Sequence, residues 1–233
     1  LARVSATSSR LRIAPSLSMT SPRCPKAVLA PLAGCVFVIW VTLAGIASAE
    51  TLVLALGDSL TAGYGLAADQ AFPAKLQAAL RNRGLAVRVI NAGVSGDTSA
   101  GGRARLNWSL ADKPAAAIIE LGANDAMRGL DPDATRGNLD AIIAELKKRG
   151  IAVLLAGMLA PPNLGPEYEA RFNAIYPDLA AKHGVLFYPF FLDGVAAVPE
   201  LNQTDGIHPT AAGVDIIVEG LLPLARELLE AAR

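Results

Sequence analysis

The sequence predicts an α/β fold on an open, parallel sheet. Two observations carry this. Short apolar runs alternate along the chain with segments of helical spacing, and within the runs consecutive positions are apolar rather than every second one. Strands buried on both faces read that way, as in a parallel sheet whose connections return through helices. Such β-α alternation brings right-handed crossovers.

Five runs read as strands: 52–56 (LVLAL), 86–90 (AVRVI), 115–121 (AAAIIEL), 151–156 (IAVLLA) and 185–188 (VLFY). Four segments read as helices. Residues 70–82 carry Phe72, Leu76, Ala79 and Leu80 at helical spacing. Residues 133–148 carry Leu139, Ile142, Ile143 and Leu146, and Gly150 ends them. Residues 167–182 carry Phe172, Ile175 and Leu179. Residues 210–231 carry Ile216, Ile217, Leu221 and Leu224, with a bend or break expected near Pro223.

Residues 1–49 read as a leader and residues 50–233 as one domain, long enough to bury roughly 70% of its extended-chain surface. The charged residues before Glu50 are all basic: Arg3, Arg10, Arg12, Arg23 and Lys26. An uncharged stretch, 27–49, follows and ends in Ala47-Ser48-Ala49. That is the pattern of a secretory signal peptide cut after Ala49, with Met19 as the expected true start. The stretch is also long enough to span a bilayer, so an uncleaved anchor is the other reading, and would be the one membrane contact. "LAGC" at 32–35 resembles a lipoprotein processing site at Cys35, although apolar residues follow where such sites turn polar. An exported protein, periplasmic or secreted, is the expectation.

Removing the five leader charges from the 21 basic residues leaves 16 against 21 acidic ones. A mildly acidic body gives no electrostatic footprint for nucleic acid. Both cysteines, Cys24 and Cys35, lie in the leader, so the body has neither a disulfide nor a metal–thiolate site. No metal or organic cofactor is expected, and a monomer is.

In open α/β sheets the chemistry sits at the carboxyl ends of the strands. Polar blocks follow the strands there: Gly57-Asp58-Ser59, "NAGVSGDTS" (91–99), "GANDAMRG" (122–129) and, after a loop, "DGIHPTAAG" (205–213). Acyl transfer needs a hydroxyl nucleophile, a base, a group to orient the base, and donors for an oxyanion. Ser59 is the candidate nucleophile. Of the two histidines, His183 sits in the last turn of a helix, where it serves the helix C-terminus. His208 follows Asp205 by three residues in a tight turn, which can bring that carboxylate to Nδ1 and leave Nε2 facing a serine. Asn124 offers an uncharged amide donor at a strand end. Gly96, or Gly93, offers a backbone N–H that a substrate can approach closely. Spacing alone does not separate these two glycines.

These blocks, in this order, resemble the SGNH (GDSL) hydrolase family over nearly all of the body. "GDSLTAGY" is similar to the family's nucleophile block, and the other three to its Gly, Asn and His blocks. "LGANDAMRGLDP", "APPNLGPEYEARFNAIYPDLA" and "DGIHP" most resemble its periplasmic multifunctional thioesterase I/lysophospholipase/arylesterase group. The resemblance implies a flavodoxin-like three-layer α/β/α sandwich with five parallel strands. It implies Ser59 as nucleophile, His208 as base and Asp205 as its orienter. The oxyanion donors it implies are the Ser59 N–H, the Gly96 N–H and the Asn124 amide, and this is what selects Gly96 over Gly93. It implies small-molecule acyl esters or thioesters as substrates, with loop 156–168 bordering the acyl pocket; short- to medium-chain acyl groups are expected, and Met158, Leu159 and Leu164 suit either an acyl chain or the packing of the loop itself. Two alternatives are a carbohydrate O-acetyl esterase and a non-catalytic flavodoxin-like domain that binds a small ligand. A nucleotide-binding domain would want G-x-G-x-x-G or a Walker lysine, and "GDSLTAGYG" has neither.

Overall fold

A computed structural model of the protein describes residues 50–233. The expected leader, with Met19, Cys24, Cys35 and the Ala49 cleavage position, lies outside the described residues. The strands are β1 (Thr51–Gly57), β2 (Val87–Gly93), β3 (Ala116–Glu120), β4 (Ala152–Ala156) and β5 (Leu186–Tyr188). All pairings are parallel, in the order β2-β1-β3-β4-β5. This is the flavodoxin-like doubly wound order, in which the switch point lies between β1 and β3.

The helices are α1 (Ser59–Ala62), α2 (Phe72–Arg81), α3 (Ser99–Ser109), α4 (Ala123–Met127), α5 (Pro132–Lys148), α6 (Pro166–Asn173), α7 (Ile175–His183) and α8 (Ala211–Ala231). Helices α2 and α8 pack on each other and on the sheet, while α3, α5 and α7 form the opposite layer. The three-layer sandwich expected from the resemblance is therefore present. Because helices cover both faces, Val53, Leu54, Ala55 and Leu56 of β1 and Ala116, Ala117, Ile118 and Ile119 of β3 are buried, which is why these stretches are continuously apolar. The core adds Phe72, Leu76 and Leu80 from α2, Ile142, Ile143 and Leu146 from α5, and Leu221 and Leu228 from α8.

The sequence expectations need four corrections. The 167–182 helix is two, α6 and α7, joined at Ala174. Helix α8 runs unbroken through Pro223. Pro223 and Glu219, whose carbonyl loses its helical partner there, both face solvent, so that carbonyl is not buried without a partner. Ile216 is exposed, and the buried stripe of α8 runs through Val214, Ile217, Val218 and Leu221 instead. Helices α1, α3 and α4 were not anticipated. Two are a single turn long, and α3 buries Ser99, Gly102 and Ser109 beside Leu106, a face of small residues with no apolar period. No described helix is long and apolar enough to cross a membrane.

One close approach shapes the carboxyl edge. Gly57 pairs with both Gly93 and Glu120, so the tips of β1, β2 and β3 are level. Helix α1 folds back over them. A Cβ on Gly93 would stand 2.2 Å from the Ala62 nitrogen, and one on Gly57 would stand 2.0 Å from Thr61 Oγ1. Only hydrogens fit at these two positions. Gly93→Ala meets backbone that cannot rotate away, and is expected to lower stability by about 1–3 kcal/mol. Urea unfolding with an unchanged midpoint would refute this close packing.

Candidate active site

The strand ends assemble the candidate residues through local rules. Asp58 is the N-cap of α1, and its Oδ1 accepts the Leu60 N–H at 3.0 Å. Ser59 is then the first residue of that turn, held at the tip of β1. On the other side, Asp205 Oδ1 accepts the Ile207 and His208 N–H groups at 2.9 and 3.0 Å, closing a tight turn. The same turn brings Asp205 Oδ2 to His208 Nδ1 at 2.7 Å. His208 Nε2 lies 2.9 Å from Ser59 Oγ. With Nδ1–H donating to the carboxylate, Nε2 is the acceptor for the Ser59 hydroxyl. The structure thus brings Ser59, His208 and Asp205 together in the expected order.

The carboxyl of Asp205 is pulled down to about 2, first by the His208 backbone N–H, then by the Ile207 N–H and the His208 ring. It stays ionised throughout the range in which a histidine titrates. The ring of Tyr64 lies tilted against His208 with centroids 4.5 Å apart. Gln203 Nε2 donates to the carbonyls of Tyr64 (2.7 Å) and Pro209 (3.0 Å), tying the loop after α1 to the histidine loop.

Asn124 sits in α4, buried, and lines one cavity with Ser59. Its Nδ2 donates to Asp58 Oδ2 at 3.0 Å. Gly96 turns with φ +83°, and its carbonyl accepts Arg128 Nη2 at 2.8 Å. Arg105 fixes the same turn to β1. It pairs with Asp97 at 2.5 Å and donates to the Gly57 carbonyl at 2.9 Å. Asp125, also buried, accepts the Ser99 N–H at 2.7 Å and binds the Ser99 and Thr135 hydroxyls, joining α3, α4 and α5 behind the site. Gly93, the other glycine candidate, packs under Ala62, and its N–H already donates to Asn91 Oδ1. His183 ends α7 and pairs with Asp140 of α5 at 2.5 Å, away from this edge.

Beside Ser59 opens a cavity of about 250 Å³, walled by Leu60, Met127, Met158, Leu159, Ala160, Phe190, Leu192 and Ile207. Of the loop residues expected there, Met158 and Leu159 line it. Leu164 does not. It closes a 3₁₀ turn, with its Cδ2 toward Gly129. Phe190 and Leu192 were not anticipated, because an apolar loop residue has no signal in sequence. No group of His, Cys, Asp and Glu among the described residues is arranged to hold a metal.

The sequence of the GDSL-like lipase/acylhydrolase family matches residues 55–216, which hold the whole of this edge. The chain belongs to that family. Esterase TesA of Pseudomonas aeruginosa is 43% identical over 199 residues, covering 85% of this chain and 98% of the relative. Thioesterase 1/protease 1/lysophospholipase L1 of Escherichia coli K12 is 42% identical over 164 residues, covering 70% and 77%. The crystal structure of AlinE4, an SGNH-hydrolase family esterase, is 50% identical with a TM-score of 0.66, covering 77% of this chain and 97% of that one.

Beneath this GDSL-type edge lies a carboxyl group that the sequence reading left unassigned. Glu120 ends β3, fully buried, where its one charge interrupts an apolar run. Its Oε2 accepts the Thr61 hydroxyl at 2.8 Å and the Asp58 N–H at 3.4 Å, while Oε1 has no partner among the described residues. Burial, and then the charge of Asp58, push its carboxyl well above the usual range. Burial likewise raises Asp58 from 3.8 to about 6. Both shifts are upward, so over this interval the folded protein binds more protons than the unfolded chain. These two groups therefore make stability fall as pH rises from about 4 through 6 and beyond. In Glu120→Gln that decline is expected to be shallower, read as urea-unfolding free energy at about pH 5 and about pH 8. An unchanged decline would mean that Glu120 folds already ionised.

Proposed function

We propose that the protein hydrolyses carboxylic esters and thioesters through an acyl-enzyme on Ser59. The single observation that carries this is the chain of contacts from Asp205 to His208 (2.7 Å) to Ser59 (2.9 Å), beside an apolar cavity. Membership of the GDSL-like lipase/acylhydrolase family supports it, as do relatives named esterase, arylesterase and thioesterase.

His208 Nε2 takes the Ser59 hydroxyl proton as Oγ attacks the carbonyl carbon. Asp205 holds the ring by Nδ1–H and stabilises the imidazolium that forms. The negative charge on the carbonyl oxygen is met by the Ser59 N–H, the Gly96 N–H and the Asn124 amide. The intermediate collapses, and His208 gives its proton to the departing alkoxide or thiolate. Water then attacks the acyl-enzyme with His208 again as base, and Ser59 is restored. Gly96 is the better glycine because the Gly93 N–H is already paired.

The cavity wall is built from aliphatic, thioether and aromatic side chains, which suits an acyl chain. An acetyl group on a sugar would leave most of that space unfilled, so short- to medium-chain acyl groups fit better than carbohydrate O-acetyl groups. Assays of residues 50–233 on p-nitrophenyl esters from acetate to palmitate are expected to peak at an intermediate length. Ser59→Ala should abolish turnover, by roughly 10⁶-fold for loss of a triad nucleophile. Turnover that survives in Ser59→Ala would sink Ser59 as the nucleophile, and no turnover on any ester would reopen a non-catalytic binding role.

We also propose that the protein is exported, with residues 1–49 removed at Ala49, from the basic, then uncharged, then small-residue order of that segment. The intact mass of the exported protein is expected to begin at Glu50. A lipid-modified Cys35 or a retained apolar segment would overturn this.

A further inference from the structure

We propose that Asp58 is a positioning residue for the reaction. Its carboxylate fixes which end of the Asn124 amide faces the Ser59 side of the cavity. The proposal rests on the reading of Asn124 as an oxyanion donor.

A side-chain amide has two nearly isosteric ends with opposite hydrogen-bonding character, and rotation about the last bond exchanges them. An oxyanion is stabilised by the NH₂ end and repelled by the C=O end. The residue that decides between them must be buried, close and of one character only. Asp58 meets all three conditions. It is wholly buried, its Oδ2 lies 3.0 Å from Asn124 Nδ2, and an ionised carboxylate accepts but never donates. The exchanged orientation would set the Asn124 carbonyl against a carboxylate oxygen in a buried setting. One N–H of the amide is thus spent on Asp58, and the second hydrogen on the same nitrogen stays available to substrate. Both residues line the cavity that contains Ser59.

The neighbours hold Asp58 in the state this requires. Its other oxygen is occupied by the Leu60 N–H at 3.0 Å, so the carboxylate cannot swing away. Glu120 is the nearest competitor for charge. Its position beneath Asp58, with Oε1 unpartnered and buried, suits a neutral carboxylic acid. A neutral Glu120 spares Asp58 a like charge, and Asp58 carries the negative charge that orients the amide.

Substitution with Asn tests this. Asn caps a helix nearly as well as Asp, so Asp58→Asn keeps α1 while removing the one-sided acceptor. Asn124→Ala alone is expected to lower kcat by about 10²–10³-fold. Asp58→Asn alone is expected to lower kcat by about ten- to a hundredfold, with KM for the ester held because the acyl wall is untouched. In the Asn124→Ala background, adding Asp58→Asn should change kcat by less than about twofold, since a residue acting through Asn124 has nothing left to orient. Asp58→Ser, which still caps but is too short to reach Asn124, should behave the same way and guards against a fault peculiar to Asn. A full further loss in the double variant overturns the coupling while leaving the oxyanion reading intact. A wild-type kcat in Asn124→Ala overturns that reading and the coupling together. A KM that rises while kcat holds in Asp58→Asn also overturns the proposal.

Discussion

The active edge depends on how closely one short turn lies against the sheet. Helix α1 is only four residues long, too short to persist by itself. It is held because the tips of β1 and β2 offer glycine where any side chain would collide with Thr61 or Ala62. This contact sets the height of Ser59 above the sheet. It also sets how far His208 must reach and where a carbonyl carbon must lie. The Arg105 side chain then bonds both the Gly57 carbonyl and Asp97, so the turn bearing Gly96 is referenced to the same strand tip. Ser59 and the turn bearing Gly96, the proposed nucleophile and oxyanion donor, are thereby registered to one strand tip rather than to separate loops. Such registration is what preorganised catalysis requires.

That closeness has a consequence below the turn. Packing α1 down on β3 buries the end of β3 completely, and the residue there is Glu120. A charge in that position would be strongly disfavoured, and a neutral carboxyl with one unpartnered oxygen still carries a desolvation penalty. Removing it would leave the Thr61 hydroxyl and the Asp58 N–H without their acceptor. The buried acid is the floor on which α1 rests, accepting the Thr61 hydroxyl and the Asp58 N–H from the turn above it.

Much of this was legible in sequence, for definite reasons. The inner strands β1, β3 and β4 are buried on both faces and almost continuously apolar, the edge strands β2 and β5 are shorter apolar runs, and the strand ends marked the polar blocks. The Asp205–His208 spacing was readable because a three-residue separation within one turn fixes geometry locally. The three unanticipated helices could not be read this way. Helices α1 and α4 exist through tertiary contact, and α3 buries small residues in place of an apolar stripe. Likewise, the roles of Asp58 and Glu120 come from contacts 62 and 66 residues apart in the chain, which no local pattern carries. A lone acid inside an apolar run was the one visible sign of Glu120. The cavity wall was half legible. Met158 and Leu159 lie in a loop already marked by its position after β4, whereas Phe190, Leu192 and Ile207 join it only through the path of the chain after β5.

Two aspartates at this edge show how one side chain takes opposite parts. Asp205 is a third exposed and is drawn down to about 2. Its two backbone donors, not burial, keep it in place while it holds His208 by Nδ1. Asp58 is buried and raised to about 6. A charge there is tolerated only because Leu60 and Asn124 both donate to it. The exposed carboxylate keeps its charge at any pH at which the histidine works, while the buried one is close to its titration point near neutrality. In the proposed mechanism the base is therefore oriented by a group insensitive to acid, and the amide by a group that acid can neutralise. Acidification would reach the oxyanion side of the site through Asp58 before it reached the orientation of His208 through Asp205.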